Sequence, residues 1–336
     1  MPTPAIDGQD VAAIQAAKTG VAVYDRSTWG CISISGEDRI RFLHNQTTND
    51  FHSLKPGQGC DTVILTSTAR TIDLVTSYIL EDTVLLLVSP NRCEMLMQWF
   101  DRYIFLADQV QLTDITASTA SFNLIGPGSD AIVEKLGAIA MIGQPYGYYQ
   151  TLPFFRDRQD QNMGLIVAVG NGLTANGYTL IFPSTEIENL WEKILELGVL
   201  PLSDRAWEIL RILQGRPAPD FELTDDYNPL EVGLWQTISF NKGCYIGQET
   251  IARLNTYKGV KQHLWGIRLN APAEIASTIT VGAEKVGKLT SYTATPEGHF
   301  GLGYIRSKVG GVGLKVHVGE TEGEVVAVPF VSHEYP

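Results

Sequence analysis

The run Asn241-Lys242-Gly243-Cys244-Tyr245-Ile246-Gly247-Gln248-Glu249-Thr250-Ile251-Ala252-Arg253-Leu254 brings a cysteine, a neighbouring cation, two glycines and a helix start into one short stretch. Ile246, Thr250 and Leu254 are spaced for one helical face, which predicts that Cys244 lies just before a helix N-terminus. There the positive end of the helix dipole and Lys242 would favour thiolate over thiol and raise the reactivity of the sulfur. The backbone N–H groups freed by the glycines offer a second chemistry, the binding of a carboxylate or phosphate. A third reading needs no chemistry: Cys244 is a small buried apolar side chain and the glycines only make a turn.

The elements that must position this stretch follow from hydrophobic period. Asp7 is expected to cap a short helix through Val11, Ala12 and Ile14 to Ala17, and Gly20 to end it. Two strands follow, at residues 21–24 and 31–34, and then a helix with Ile40, Phe42 and Leu43 inward. His44 closes that helix, where it suits a cap, a surface group or a base. Residues 62–65, 73–80 and 83–88 read as an antiparallel meander, followed by an amphipathic helix over 92–105 and a strand over 110–115. A second unit repeats the plan, with strands at 121–125, 164–169 and 177–182 and helices at 129–136 and 186–197. The turn Gly126-Pro127-Gly128 lacks the Gly-Lys-Ser/Thr ending of a phosphate-binding P-loop. A helix over 204–214 is broken by Gly215-Arg216-Pro217-Ala218-Pro219. Short strands with glycine turns from residue 258 onward predict a small terminal β-barrel.

The expected fold class is α+β: two antiparallel-sheet and helix units form a bilobal core over 1–257, followed by the barrel over 258–336. The lobes are expected to interleave as 1–51 with 119–205, and 52–118 with 206–257. The cleft between them is the expected place for a small molecule.

The chain has 336 residues, 44% of them hydrophobic, enough for two or three packed domains. Its formal net charge of −12 argues against broad binding to nucleic acid or to anionic membrane. Between Lys242 and Lys261, however, the sequence is locally positive. No apolar run reaches a membrane-spanning length, and the start lacks the basic and apolar regions of a secretory signal. A soluble, cytoplasmic protein is expected. Cys31, Cys60, Cys93 and Cys244 are widely spaced without a C-x-x-C pair, so reduced thiols and no resident metal are expected.

Lys242-Gly243-Cys244-Tyr245-Ile246-Gly247-Gln248-Glu249 resembles the signature of the YgfZ family, folate-binding relatives of the glycine cleavage T-protein that assist iron–sulfur enzyme maturation. The similarity runs from Tyr24-Asp25-Arg26-Ser27 to Val328-Pro329-Phe330 and looks closest to the cyanobacterial and plant branch. It implies a T-protein-like fold, a tetrahydrofolate cofactor and iron–sulfur client or assembly proteins as partners. It also implies Cys244 and Lys242 as reacting groups, with Asp73, Gln214, Tyr245, Gly247, Gln248, Glu249 and Arg253 around the folate.

Two departures from the T-protein pattern matter. Where T-proteins carry Leu-Arg-x-Glu-x-Gly, this chain reads Leu210-Arg211-Ile212-Leu213-Gln214-Gly215, so an apolar side chain replaces a pterin-gripping carboxylate, for which Gln214, Asp220 or Glu222 could substitute. Where T-proteins carry paired aspartates, only Asp73 remains, beside Leu74. Three functions are therefore compatible with the sequence: a folate-binding iron–sulfur assembly or repair factor, a tetrahydrofolate-dependent aminomethyl or one-carbon transferase, and a non-catalytic adaptor.

Overall fold

A computed structural model describes residues 8–153 and 164–335, so the predicted Asp7 cap lies outside the described residues. In chain order the first elements are α1 (Gly8–Thr19), β1 (Ala22–Asp25), β2 (Gly30–Ser35), α2 (Arg39–Gln46), β3 (Gln58–Leu65), β4 (Thr71–Ile79), β5 (Thr83–Val88), α3 (Cys93–Asp101) and β6 (Gln111–Asp114). Next come β7 (Thr119–Ile125), α4 (Ser129–Leu136), β8 (Tyr149–Leu152), β9 (Leu165–Val169), β10 (Gly177–Pro183), α5 (Ile187–Glu196), β11 (Leu200–Leu202) and α6 (Asp204–Gln214). The last part contains α7 (Pro229–Val232), α8 (Gln248–Thr256), β12 (Gln262–Leu269), β13 (Thr278–Val281), β14 (Glu284–Thr295), β15 (Gly298–Arg306), β16 (Lys315–Val318) and β17 (Thr321–Val326).

These strands form two open sheets and a closed barrel. The first sheet has the order β11-β1-β7-β10-β9-β8 and is antiparallel except where β1 runs parallel to β11. The second, β3-β4-β5-β2-β6, contains the predicted meander and is antiparallel throughout. The sheets face each other through Cys31, Tyr78, Leu85 and Leu87 on one side and Ile166, Ala168 and Ile181 on the other. Their far faces are covered by helices: Ile132, Val133, Leu190 and Ile194 on the first, Phe42, Leu43, Leu96 and Phe100 on the second. Covering both faces explains why β7 and β10 are buried at every position, polar Thr119, Ser121, Asn123 and Thr179 included. Each fully buried Leu or Phe contributes about 1.5–3 kcal/mol.

The interleaving differs from the sequence-based division at one strand. The division places β2 in a lobe with β1, yet β2 pairs with β5 and β6. Ile32 and Ile34 complete the apolar cluster of Val75, Leu86 and Phe100, so the chain crosses between sheets at Arg26–Trp29, immediately after β1.

Ser203 starts α6 by accepting the Ala206 N–H at 3.1 Å, and Gly215 ends it at φ 78°. A side chain at Gly215 would meet Val328 at 2.3 Å, so the terminal segment can cross the helix end only over a glycine. The barrel, β12-β15-β14-β13-β16-β17, docks on this helix through Glu222. The fully buried Glu222 carboxylate accepts from Thr290 at 2.6 Å, Ser291 at 2.7 Å, Arg211 at 3.0 Å and the Ala218 N–H at 3.1 Å. Tyr304 stacks on Tyr227 at 3.5 Å and donates to the Glu222 carbonyl. Among the described residues, no helix is long and apolar enough to cross a membrane.

Candidate functional site

The Cys244 segment is held by one polar loop. Residues 44–49, the end of α2 and the loop after it, turn five carbonyl oxygens toward residues 237–246, which bind along them. Ser239 N–H donates to Thr48 O at 3.0 Å and Ile246 N–H to Asn45 O at 3.1 Å. Between these, the Lys242 ammonium donates to Thr47 O at 2.8 Å, Asn49 O at 2.6 Å and His44 O. Three acceptors use all three of its protons. The Lys242 charge is thus aimed at backbone carbonyls, whereas the sequence reading aims it at sulfur or a ligand. Burial pushes this ammonium down to about 8, opposed by Asp50 and Cys60.

The remaining predicted residues shape the same turn. Tyr245 packs its ring 4.9 Å from Lys242 Nζ, and its N–H donates to Gln248 Oε1 at 3.2 Å. Gly247 has φ 81° and caps α8, where a side chain would approach Thr66 O to 3.0 Å. Glu249 and Arg253 are exposed on α8. Cys244 is exposed, three residues before that glycine, which excludes the buried apolar reading. His44 lies beneath the turn, its Nε2 3.6 Å from where a Gly243 side chain would begin. Burial, then Lys242 and His52, push His44 down to about 4 against the pull of Asp50. At neutral pH this imidazole is uncharged.

The main cavity, about 740 Å³, opens between the two sheets and the terminal segment. Asn49, Cys60 and Asp61 come from the second sheet side, Asp130, Tyr146 and Tyr178 from the first, and Gln236 and Phe330 close it. Asp61 accepts from Thr76 Oγ1 at 2.7 Å and from Tyr146 OH at 2.8 Å, and Asp130 accepts from Tyr178 OH at 2.7 Å. Each carboxylate keeps lone pairs free for a ligand's N–H groups. Burial pushes the Cys60 thiol up to about 12, so this cleft sulfur is a neutral thiol at pH 7. Phe330 is tied in place by its N–H to Gln214 O at 2.9 Å and by Gln236 Nε2 donating to its carbonyl at 3.1 Å.

Several predicted ligands stand elsewhere. Asp73 is fully buried and does not line the main cavity: its carboxylate accepts from Ser89 Oγ at 2.6 Å, Ser89 N at 2.9 Å and Leu74 N at 2.9 Å. It fastens β4 to the end of β5. Gln214 turns its Oε1 to Thr174 N and Oγ1, at 2.9 and 2.7 Å, and so shapes the cleft wall indirectly. Glu222 is consumed by the barrel contact, and the exposed Asp220 pairs with Arg92 at 2.5 Å. The cleft carboxylates Asp61 and Asp130 do not stand out in the sequence, because each is an isolated acid in an otherwise ordinary strand or helix start. Among the described residues, no group of His, Cys, Asp and Glu is arranged to hold a metal ion.

The chain matches the model of the GCVT N-terminal domain over residues 7–242. It is 48% identical over 330 residues to the Arabidopsis thaliana protein named "Putative transferase At1g60990, chloroplastic", covering 97% of this chain and 75% of that one. It is 27% identical over 341 residues to a Desulforamulus reducens aminomethyltransferase, covering 96% and 90% of the two chains. In fold it is similar to glycine cleavage system aminomethyltransferase T from Bartonella henselae, with a TM-score of 0.82, 18% identity and coverage of 97% and 90%. The two-sheet core with its docked six-stranded barrel thus has a family: this chain belongs to the one defined by the GCVT N-terminal domain.

Proposed function

We propose that the protein is an iron–sulfur cluster assembly or repair factor that binds a reduced folate in the main cleft and presents Cys244 to a client or assembly protein. The supporting observation is the position of Asn49. Its carbonyl holds Lys242 and hence the Cys244 turn, while its side chain donates to Asp61 O at 2.8 Å in the cleft wall. Occupancy of the cleft can therefore change the presentation of the sulfur through one short chain of hydrogen bonds.

The cleft suits a folate by volume and by chemistry. Cavities for ligands of this size run to about 300–1,000 Å³. Asp61 and Asp130 would accept from the N–H edge of the pterin, against the aromatic walls of Tyr146, Tyr178 and Phe330. Bound folate would supply a one-carbon carrier or a pterin-sized wedge, and the chain's own residues orient it and exclude water. Cys244 would act, as the thiolate, as a transient ligand of the cluster being transferred, its proton going to solvent. Gln248 fixes the turn, and the exposed Arg253 and Glu249 would meet the partner. Replacing Cys244 by Ala in a strain lacking the protein should leave iron–sulfur enzyme activity unrestored. Full restoration would remove the thiol from the mechanism.

A second reading, a tetrahydrofolate-dependent aminomethyl or one-carbon transferase, is favoured by the two acids that line the cleft, Asp61 and Asp130. It predicts turnover with an aminomethyl donor and tetrahydrofolate. A flat calorimetric titration with tetrahydrofolate would reject both folate readings and leave an adaptor.

A further inference from the structure

Beside the main cleft, two arginines are buried without the partners that buried arginines need. Arg26 is 1% exposed and Arg216 3% exposed. Among the described residues neither makes an ion pair, and both Nε atoms lack a hydrogen-bond acceptor. Within the same residues the side chain of Arg26 donates no hydrogen bond, and Arg216 has one long contact, to Pro217 O at 3.5 Å. Ten N–H groups taken almost wholly out of solvent, with one marginal acceptor among the described residues, are a large unmet demand.

The two guanidiniums also converge. A side chain placed on Gly172 would begin 3.4 Å from Arg26 Nη1 and 3.5 Å from Arg216 Nε. Trp29 lies against both, its ring centre 3.6 Å from the Arg26 guanidinium carbon and 5.3 Å from that of Arg216. Their mutual repulsion adds to burial in pulling Arg26 down to about 10. Asp61 and Asp73 act on Arg216 only through their charge at longer range, and among the described residues neither makes a hydrogen bond or ion pair to either arginine. Arg211, close by in the chain, shows how this fold satisfies a structural arginine: Glu208, Glu222, Ser291 and the Arg216 carbonyl saturate it. A second cavity of about 230 Å³, lined by Trp29, Ser89 and Arg216, reaches one member of the pair.

We propose that Arg26 and Arg216 together bind one oxyanion, a carboxylate or phosphate group, held between their guanidiniums at the Gly172 backbone. Planar forks facing one point match such a group's oxygens. This assignment does not depend on the folate reading, since any ligand bearing the group would be recognised.

Thermal melts of the full chain in sodium phosphate and in sodium acetate, each against sodium chloride at equal ionic strength, test it. At least one oxyanion should raise Tm by about 2 °C or more beyond chloride. Arg26→Met and Arg216→Met should each abolish that increment, and Arg26→Lys, which keeps the charge without the fork, should lose most of it. Equal melts in all three salts for the wild-type chain, or an increment retained in a folded Met variant, would overturn the proposal. Titrating 5-formyltetrahydrofolate with and without saturating oxyanion then identifies the source. Competition assigns the site to the folate's own carboxylates, and independent binding assigns it to a separate small ligand; the melts stand whether or not folate binds.

Discussion

Arg211 and Arg216 lie on either side of the glycine that ends α6, and both are almost completely buried, yet the protein handles them in opposite ways. Arg211 is saturated by two glutamates, a serine and a carbonyl, and the carboxylates hold its charge firmly on. Arg216 has been taken out of water with no carboxylate hydrogen-bonded to it among the described residues, and burial pulls it below the ordinary arginine range against the longer-range pull of Asp61 and Asp73. Scaffold and site can be told apart by this contrast. A polar group whose bonding capacity is used up is holding the fold, and one with capacity left over is available to a ligand. Asp73 and Glu222 fall on the first side of that line, Asp61 and Asp130 on the second.

The contrast breaks most visibly at Arg211. Arg211→Met should cost about 3–5 kcal/mol in chemical denaturation, because it strands the Glu222 carboxylate in the barrel interface. A loss below about 1 kcal/mol would mean that the pair is not structural. Asp61→Asn should leave the fold within about 1 kcal/mol of wild type. It should weaken tetrahydrofolate binding by about 1.5–3 kcal/mol, roughly ten- to a hundredfold, as read by calorimetry. If Asp73→Asn did this instead, the distinction between spent and spare acceptors would fail.

A pH measurement sharpens the contrast on the thiol side. The folded pKa of His44, about 4, lies below the ordinary 6.5, so the unfolded chain binds the proton first. Stability attached to His44 is complete above about 6.5, is lost as pH falls toward 4, and changes no further below that. His44→Asn should therefore flatten part of the acid slope between pH 6.5 and 4, with His333, which burial also pushes to about 4, and His263, which burial also lowers, contributing to what remains. The smallest expected effect is at Cys244: Cys244→Ser should change stability by less than about 0.5 kcal/mol, because the side chain is exposed. Its effect should be confined to iron–sulfur enzyme activity in cells.

How much of the molecule is legible in the sequence depends on whether a feature is local. The Cys244 turn, the meander β3-β4-β5 and the barrel are written in contiguous residues, through glycine positions and hydrophobic period, and the structure has them where those signals place them. The placement of β2 is not legible, because strand partners are chosen by distant residues: Ile32 and Ile34 fit beside Leu86 and Val75, and nothing in Cys31-Ile32-Ser33-Ile34 says so. The same limit hides the cleft. Asn49, Asp61, Asp130 and Phe330 share a cavity only after three units have docked. Lys242 stands out by its motif, but its three carbonyl acceptors lie nearly 200 positions earlier, beyond the reach of any spacing argument.

Phe330 follows the last barrel strand, yet it forms part of the cleft wall and is pinned there by Gln214 and Gln236. The barrel is consequently no detachable appendage: a fragment cut near residue 257 would retain both sheets and lose one side of the chamber between them. Any shortened version used for ligand screening would report on an open trough, and fusions that tug on the carboxyl end would loosen the same enclosure from outside.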